Sequence, residues 1–475
     1  MADFAEIVGR NGVITDKRDM DGFCTDWFGR FKGDALAVIL PKTADEVARV
    51  LAKCAKEGIA VVPQGGNTSV CGGSVPDAGE PRCIVLSLSR MNAIRSIDPF
   101  TNAIVVDAGC VLANVQHAAE EADRLFPLSL SAEGSCQIGG TISTNAGGTS
   151  VLRYGTARDM VLGLEVALPD GRIWHGLQTV RKDSTGYDLK GLWIGAEGTL
   201  GIITGAALKL FPRLRERATA WIAVASPKAA IELLARLRDR FDTQLVGCEL
   251  MSDAQVQMVY DHIPDTRSPV AGAHAWHLLV EVAETAVTHR LGEALEEALG
   301  AAMEIDLVED AVMAQSLQQA ESFWKIRHAL TDALKASGAS LTHDVAVPLG
   351  AVPDYIERTE RVLSERFPQG VGAVVCHLGD GNVHYNLTFP RGYWDALPDP
   401  EALAADVSDA VQDIAMELGG SFSAEHGVGR KYLHSAERHK SAVERDLANG
   451  LKRWLDPLGI MNPGRTVPAV EGGRA

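Results

Sequence analysis

This 475-residue sequence lacks long apolar stretches, an excess of basic residues and C-x-x-C cysteine pairs. No apolar run reaches the roughly 18 residues that span a bilayer, so no membrane-spanning segment is predicted. The first residues, MADFAEIVGR, show no basic stretch followed by an apolar one. For that reason no secretory signal is predicted either.

Basic residues are scarce: 45 Lys and Arg stand against 62 Asp and Glu, which gives a net charge of −17. Such a charge repels phosphate backbones and anionic lipid, which argues against a nucleic-acid-binding or peripheral membrane protein. The eight cysteines contain no C-x-x-C pair, a pattern typical of reduced, buried thiols. We therefore expect a cytoplasmic protein.

Glycine is concentrated in three segments, at residues 64–76, 134–148 and 195–205. Segments this rich in glycine are typical of backbone that runs close to a ligand, and successive N–H groups form anion-binding nests. Two such loops can neutralise a pyrophosphate without Lys or Arg. The alternative is a set of tight turns in a β-rich domain. Side chains of the first loop add further donors: Asn67, Thr68, Ser69 and Ser74.

The chain before the first glycine loop has a βαβ pattern. Ala35–Leu40 and Ala60–Pro63 are the predicted strands, and a capping box at Thr43 opens a helix that runs to Glu57. Proline and glycine follow the loop instead of a helix, so a Rossmann dinucleotide-binding unit is not favoured. Because the sequence also lacks a G-x-x-x-x-G-K-[ST] motif, no P-loop is predicted.

Three long segments give the sequence a specific resemblance: PQGGNTSVCGGSVP, FPLSLSAEGSCQIGGTISTNAGG and RKDSTGYDLKGLWIGAEGTLGIITGA. They resemble the flavin-binding segments of the vanillyl-alcohol oxidase superfamily, and within it those of the D-2-hydroxyglutarate and D-lactate dehydrogenases. The resemblance extends over nearly the whole chain. It implies FAD bound in an extended pose between two α/β subdomains, and a substrate-binding cap inserted before a C-terminal return.

By position in these segments, the resemblance assigns residues to FAD. The first loop supplies Gln64, Gly65, Gly66, Asn67, Thr68, Gly72 and Ser74. The second loop supplies Gly134, Ser135, Ile138, Gly139, Asn145, Gly147 and Gly148. Expected near the adenosine or the flavin ring are Glu197, Ile202 and Asn462. Some relatives attach flavin covalently to His or Cys, but neither loop contains His and the case for Cys71 is weak, so we expect non-covalent FAD.

The composition changes near residue 215, where glycine becomes rare and helical periodicity dominates. The predicted helices lie at 226–240, 285–300 and 312–337, with a last one at 438–456. The predicted strands lie at 219–225, 274–282 and 371–389. We predict an α+β fold with three parts: a two-subdomain FAD-binding domain at 1–215, an α+β substrate- and metal-binding cap at 216–420, and a C-terminal helical return at 421–475.

Two β-prone runs flank Gly-Asp-Gly-Asn at 379–382, which is a strong hairpin signal. If Asp380 and Gly381 form a two-residue turn, His377 and His384 lie directly opposite each other, with Cβ atoms roughly 4.5–5.5 Å apart. That spacing suits two imidazoles that bind one metal ion at about 2.0–2.1 Å. A stacked or solvated histidine pair is the alternative.

The resemblance assigns His377, His384 and Glu425 to a divalent metal, with zinc as the first candidate. Two nitrogens and one carboxylate with open positions form a catalytic pattern rather than a closed structural one. Manganese and iron are not excluded by the type of ligand. His426 adjoins Glu425, and we predict that it is the base that takes the proton of the substrate hydroxyl.

A helix predicted at 320–336 carries Arg327 and Thr331 four residues apart, so both can face one pocket. Arginine matches a carboxylate with two donors, and the resemblance places substrate contacts here. Asn386 lies two residues after the second histidine and shares its face, so we assign it to the substrate as well. Relatives specific for 2-hydroxyglutarate typically carry a lysine where this sequence has Thr342, which leaves the identity of the acid open.

Together with these features, the resemblance implies an FAD- and metal-dependent D-2-hydroxy acid dehydrogenase, and the D configuration comes from the resemblance alone. D-2-hydroxyglutarate is the first candidate substrate, and D-lactate or another short acid such as D-malate is the alternative. A metallohydrolase is a remote alternative because it would leave the glycine loops without a role. The resemblance further implies electron-transfer flavoprotein or a quinone as the electron acceptor, and a homodimer is also considered.

Overall fold

The computed structural model describes residues 2–79 and 82–467, and the chain divides into two compact units. The first unit contains the chain up to Gly147, then Gly155–Arg213, and the chain from Glu425 onward. The second contains Gly148–Tyr154 and Leu214–Ala424. These divisions lie near the predicted borders at residues 215 and 420, whereas the assignment of Gly148–Tyr154 to the second unit has no counterpart in the sequence pattern.

Both units contain strands and helices. The strands, in chain order, are β1 Val13–Ile14, β2 Val38–Ile39, β3 Ala60–Gln64, β4 Cys83–Ser87, β5 Ile94–Asp98, β6 Ala103–Asp107, β7 Arg124–Leu125, β8 Val161–Ala167, β9 Ile173–Gly176, β10 Ile202–Lys209, β11 Phe211–Pro212, β12 Glu216–Val224, β13 Leu245–Ser252, β14 Trp276–Glu284, β15 Asp310–Met313, β16 Ala339–Ala346, β17 Val371–His377 and β18 Asn382–Phe389. The helices are α1 Ala2–Val8, α2 Lys17–Cys24, α3 Ala44–Glu57, α4 Leu112–Glu121, α5 Ile138–Ser143, α6 Val151–Tyr154, α7 Ala157–Met160, α8 Pro227–Phe241, α9 Asp253–His262, α10 Leu291–Met303, α11 Leu317–His328, α12 Leu330–Ser337, α13 Val352–Arg366, α14 Arg391–Trp394, α15 Pro400–Glu417, α16 Leu433–His439 and α17 Ala442–Leu455.

The start of the first unit follows its local signals closely. Thr43 caps α3, since its hydroxyl accepts the N–H of Glu46 at 3.2 Å, and α3 ends at Gly58 as predicted. The Glu46 carboxylate accepts the N–H of Lys42 at 2.6 Å, so it reaches one residue further back than a standard capping box. These two hydrogen bonds fix the direction in which the chain enters α3.

Two larger sheets and one strand pair make up the β structure of the first unit. One sheet has the order β1-β2-β4-β3, the other has the order β5-β6-β10-β8-β9, and β11 pairs with β7. Strands β2, β4 and β3 run parallel, as a βαβ pattern requires. The strand predicted at Ala35–Leu40 is shortened to Val38–Ile39, although the N–H of Leu36 still donates to the oxygen of Cys83.

The second unit is built on one antiparallel sheet of seven strands, with the order β15-β12-β14-β13-β17-β18-β16. Helices α8, α10, α13 and α15 cover one face, and α9, α11 and α12 cover the other. Alternate residues sort to the two faces. In β18, Val383 and Tyr385 enter the first core, so His384 and Asn386 lie on the face of α11 and α12. This second face therefore carries the predicted polar residues.

Several predicted helices have different bounds in the structure. The helix predicted at 320–336 is divided into α11 and α12, with the break at Ala329. Ile326 before the break and Leu330 after it both pack in the same core, so α11 and α12 cover the same face of the sheet. The helix predicted at 285–300 begins only at Leu291, where the Glu216 carboxylate accepts the N–H groups of His289 and Leu291.

The last predicted helix, 438–456, is likewise two helices, α16 and α17. A capping box explains where the second begins: Ser441 Oγ accepts the N–H of Glu444 at 3.2 Å, and the Glu444 carboxylate accepts the N–H of Ser441 at 2.9 Å. In the part of the chain that the structure describes, no helix has both the length and the apolar composition needed to cross a membrane.

Candidate functional site

The first glycine loop follows β3 directly and is braced by its own side chains. Gln64 Nε2 donates to the backbone oxygens of Phe23 and Ser74, at 2.9 and 2.8 Å. Asn67 Nδ2 donates to two backbone oxygens at the end of α2, at 3.0 and 2.9 Å, and Ser74 Oγ donates to Asn67 Oδ1 at 2.8 Å. These donors are used inside the protein, contrary to the prediction that Asn67 and Ser74 present them to an anion.

What the loop offers instead is its backbone. Among the described residues, the N–H groups of 66–70 have no protein acceptor. All of these residues are half-buried. Successive N–H groups in a concave loop form a nest for an anion, so the backbone, rather than the side chains of Asn67 and Ser74, is the part of this loop suited to a pyrophosphate.

The two glycine loops pack directly against each other within the first unit. A Cβ atom placed on Gly66 would lie 2.0 Å from the backbone oxygen of Ser135 in the second loop. A Cβ atom on Gly65 would lie 3.4 Å from Gln137 Cβ. The close approach at residue 66 admits only glycine. The loops that the resemblance assigns to one ligand are thus one continuous surface.

Four of the residues predicted to bind FAD have left-handed backbone conformations. The φ angles are 54° at Asn67, 52° at Asn145, 49° at Glu197 and 41° at Asn462. Asparagine tolerates this region, whereas glutamate rarely adopts it. Strained residues of this kind cluster at functional sites, where the surrounding structure holds them in place. Their coincidence with the predicted flavin residues indicates that the backbone of this site is specifically shaped.

Glu197 joins the third glycine segment to the C-terminal return. Its buried carboxylate accepts the N–H of Gly429 at 2.9 Å and the hydroxyl of Thr466, and burial raises its pKa. Asn462 Nδ2 donates to the backbone oxygens of Gly73 and Glu197, at 2.9 and 2.8 Å. Glu197 and Asn462 therefore link three segments by hydrogen bonds: the first glycine loop, the third glycine segment and the C-terminal return.

The other predicted FAD residues lie in the same loops or at the elements that follow them. Ile138 and Gly139 open α5, and Ile202 opens β10. The carbonyl oxygen of the Asn145 side chain accepts from Thr156 Oγ1 at 3.0 Å. The rest line the loops themselves: Gly65, Thr68, Gly72, Gly134, Ser135, Gly147 and Gly148. Gly148 belongs to the second unit. All eight cysteines, including Cys71, are buried, and none of these eight forms a disulfide, as predicted.

The histidines of the hairpin come together in a different register from that predicted. His377 pairs with Asn382, and His384 pairs with Val375. The turn has four residues, 378–381, and is closed by two N–H groups that each donate to the His377 oxygen at 3.2 Å. A shift of two residues preserves the face because side chains alternate with period two. The predicted pairing is wrong, but the shared face is confirmed, with ring centroids 5.3 Å apart.

Glu249, which the sequence analysis missed, links a predicted metal ligand to a predicted substrate residue. It lies in β13 opposite His377, and its side chain is 1% exposed. One oxygen is 2.8 Å from His377 Nδ1, and the other accepts from Arg327 Nε at 2.6 Å. Burial by itself would raise the pKa of Glu249, but the charges of Arg327 and His377 outweigh it and lower the pKa. Glu249 is therefore held as a carboxylate.

Asp344 occupies a similar position beside the other histidine. It is fully buried, and its Oδ1 lies 3.7 Å from His384 Nδ1. Its Oδ2 accepts the backbone N–H of Ala424 at 3.2 Å. Ala424 is the last residue of the second unit, and Glu425 and His426 follow it directly in the chain. The hydrogen bond to Asp344 thus fixes the backbone at Ala424, the residue that precedes the third predicted ligand, Glu425, and the predicted base, His426.

The predicted substrate residues differ in their exposure and in their contacts. Arg327 is on α11 with its Nε engaged by the buried carboxylate, whereas Thr331 is on α12 and exposed. Asn386 is 1% exposed, and its Nδ2 donates to Gln255 Oε1 at 3.0 Å. As placed, Asn386 holds Gln255 and offers almost no surface to a substrate. Thr342 lies opposite Asn386 on the neighbouring strand β16.

Comparisons with known proteins match both halves of the chain. A family model described as an FAD binding domain matches residues 35–176, and one described as FAD linked oxidases, C-terminal domain, matches residues 213–466. The mitochondrial D-2-hydroxyglutarate dehydrogenase of Arabidopsis thaliana is 36% identical over 98% of this chain and 81% of its own length. That of Danio rerio is 36% identical over 96% of this chain and 83% of its own.

A solved structure confirms the fold. The structure of p-cresol methylhydroxylase with substrate bound is similar with a TM-score of 0.75 at 17% identity, and the match covers 99% of this chain and 96% of that one. The predicted α+β fold of the vanillyl-alcohol oxidase type is therefore correct. At this identity the likeness carries the fold alone.

The predicted cytoplasmic location is wrong. The D-2-hydroxyglutarate dehydrogenases of Arabidopsis thaliana and Danio rerio are both named as mitochondrial proteins. The prediction rested on scattered cysteines that indicate reduced thiols, and this property does not distinguish the cytosol from another reducing compartment.

Proposed function

The chain belongs to the FAD-linked oxidases, in the group of the D-2-hydroxyglutarate and D-lactate dehydrogenases, and from this premise we propose that it oxidises D-2-hydroxyglutarate to the 2-oxo acid. It is an FAD-dependent D-2-hydroxy acid dehydrogenase. The identity of 36% to D-2-hydroxyglutarate dehydrogenases along almost the whole chain is the observation that carries the choice of substrate.

The two glycine loops have the features that FAD requires. The N–H groups of residues 66–70 supply donors for the pyrophosphate, and the absence of a Cβ at Gly66 lets the second loop approach. When bound there, FAD would supply the acceptor for the hydride that leaves the substrate Cα. We propose that it is held non-covalently, because neither loop contains His and the side chain of Cys71 is buried.

We also propose that His377, His384 and Glu425 hold a divalent metal, with zinc as the first candidate. Support comes from the second unit itself: a ligating histidine commonly donates its other ring N–H to a carboxylate, which fixes its tautomer and orientation. Glu249 stands in that relation to His377, and Asp344 lies beside His384. When bound, the metal would lower the pKa of the substrate hydroxyl.

The remaining roles fall to side chains of this chain. Arg327 and Thr331 orient the substrate carboxylates, with the Arg327 guanidinium held by Glu249. His426 accepts the proton of the hydroxyl. Asn386 and its hydrogen-bond partner Gln255 are both buried, so the proposal gives neither a direct contact with the substrate. For the electron acceptor we propose electron-transfer flavoprotein or a quinone.

The substrate proposal is tested by reduction of the bound flavin without oxygen. D-2-hydroxyglutarate should bleach the yellow holoenzyme faster than D-lactate or D-malate does, and L-2-hydroxyglutarate is the matched control. One observation favours the alternative of a shorter acid: Thr342 and Asn386, opposite each other on β16 and β18, are both neutral and offer no charge to a distal carboxylate. Fastest bleaching by D-lactate or D-malate would therefore contradict the proposal and assign a shorter substrate.

Substitution of Gly66 by alanine is expected to lower the FAD content several-fold. The added Cβ would meet the Ser135 oxygen at 2.0 Å, and because the neighbouring atom is backbone, the two loops have to separate. The measurement is the FAD released into the supernatant after acid precipitation, per mole of protein. Gly300→Ala on α10 is the matched control, since its Cβ has no neighbour within 4 Å. Full FAD content in Gly66→Ala would exclude this loop contact from the flavin site, and colour left in the precipitate would contradict non-covalent binding.

A further inference from the structure

Gln137, in the second glycine loop directly before α5, is a buried amide that the protein does not satisfy. The residue is 7% exposed. Within the part of the chain that the structure describes, its Oε1 is buried without a hydrogen-bond partner, and its Nε2 donates to no protein atom. A buried acceptor left in this state destabilises the fold. Such groups are rare in native proteins, and each one calls for a partner that the chain itself does not supply.

The amide of Gln137 is held beside the first glycine loop. A Cβ atom on Gly65 would lie 3.6 Å from Gln137 Oε1, and Gly65 adjoins the run of N–H groups at 66–70 that suits a pyrophosphate. The backbone of Gln137 is fixed on both sides. It forms a β-bridge with Val111, and its carbonyl oxygen accepts the N–H of Thr141 at 3.0 Å. The amide therefore lies next to the start of the proposed pyrophosphate nest.

The contacts of Gln137 do not indicate that its amide braces the protein. In the described chain its side chain makes no capping hydrogen bond to α5. Gln64, in the same site and also buried, shows the contrast. Its Nε2 donates to the backbone oxygens of Phe23 and Ser74, at 2.9 and 2.8 Å. Gln64 thus uses its amide to hold the loop, whereas the amide of Gln137 is left for a ligand.

The chemistry of the buried oxygen limits which part of a ligand it can bind. An amide oxygen accepts a hydrogen bond, so its partner has to carry a donor. The pyrophosphate of FAD offers only acceptors. Hydroxyl groups flank it on both sides, on the ribityl chain toward the flavin and on the ribose toward the adenine. The other donors of FAD, at flavin N3 and adenine N6, lie at the far ends of the molecule.

We propose that Gln137 binds a sugar hydroxyl of FAD next to the pyrophosphate, with Oε1 as the acceptor. A hydroxyl both donates and accepts, so it can serve Oε1 and Nε2 of the same amide. This inference rests on the proposed FAD site in the two glycine loops. It adds a side chain that positions the cofactor to a site in which the side chains of Asn67 and Ser74 are occupied by the protein.

The test is the rate at which the holoenzyme releases FAD on dilution, followed by the rise in flavin fluorescence. Gln137→Met keeps the length of the side chain and removes both polar atoms. It should release FAD about 3–10-fold faster, as expected for the loss of one neutral hydrogen bond. Two analogues, one without ribityl hydroxyls and one without ribose hydroxyls, identify the partner. Wild-type protein should release one of them faster than FAD, and Gln137→Met should release that analogue no faster than wild type does.

Gln64→Met is the matched control. Because its amide contacts only the protein, it should speed the release of FAD and of both analogues by the same factor. The inference is overturned if Gln137→Met behaves in that way too, or if it changes no release rate. Equal release of FAD and both analogues by the wild-type protein would overturn it without any variant. A wild-type protein that retains no FAD would contradict the proposed function instead.

Discussion

Glu249→Gln is expected to destabilise the protein by about 3–5 kcal/mol, the range found when one partner of a buried ion pair is removed. The side chain of Glu249 is 1% exposed and that of Arg327 is 12% exposed, so the guanidinium would remain buried without its counter-charge. Glutamine has only one side-chain oxygen, so its NH2 group would face either Arg327 Nε or His377 Nδ1. Two hydrogen-bond donors would then face each other. The measurement is the free energy of unfolding from denaturant titration.

A double variant separates the stability of the pair from its function. Adding Arg327→Met to Glu249→Gln removes the unpaired charge, and replacing both members of a buried pair is often neutral. Most of the lost stability should return. Metal affinity should remain about 10–100-fold lower, which is the usual cost of losing the carboxylate behind a ligating histidine. If the double variant is no more stable than Glu249→Gln, the two residues are not coupled through their charges.

The parts of the fold that could be predicted are those specified by neighbouring residues. Thr43 and Gly58 mark both ends of α3 because a cap and a terminating glycine act within one helical turn. The hairpin at 371–389 was found because two β-prone runs flank a glycine-rich turn. Its register was wrong because turns of two and four residues both suit Asp380-Gly381. Only the pairing of β17 with β13 on its other side adds the missing constraint.

The part of the site that could not be predicted depends on residues distant in sequence. Glu249 is separated from His377 by 128 residues and from Arg327 by 78. Its one local signal is a lone carboxylate in the apolar strand LVGCELMS, which identifies a buried charge but not its partners. Likewise, the amide groups of Gln64 and Asn67 could be assigned to the first loop from the sequence, yet their acceptors lie around α2. Residue type therefore indicated which segments to consider for a site, and three-dimensional packing decided which of their atoms are left for a ligand.

The last prediction separates the proposed metal ligands from the proposed base, and it begins with His384→Ala. His384 is 18% exposed, lies on the same face of the hairpin as His377, and has Asp344 beside its Nδ1. Without this imidazole, one of the three proposed ligands is gone. Bound metal, measured by elemental analysis of the purified protein, should fall to a small fraction of the parental content, and reduction of the flavin by substrate should be almost abolished. FAD content should be unchanged, because the glycine loops are untouched.

His426→Ala should behave differently in one respect. It leaves His377, His384 and Glu425 in place, so metal content should stay near that of the parent while flavin reduction slows by about 10²–10⁴-fold, the usual contribution of a positioned general base. The two variants are then both slow but differ in bound metal. If His426→Ala loses the metal as completely as His384→Ala does, His426 is a ligand and another group takes the proton. If His426→Ala reduces its flavin at the parental rate, His426 has no part in the chemistry, and the base has to be sought among the other titratable residues near Asp344.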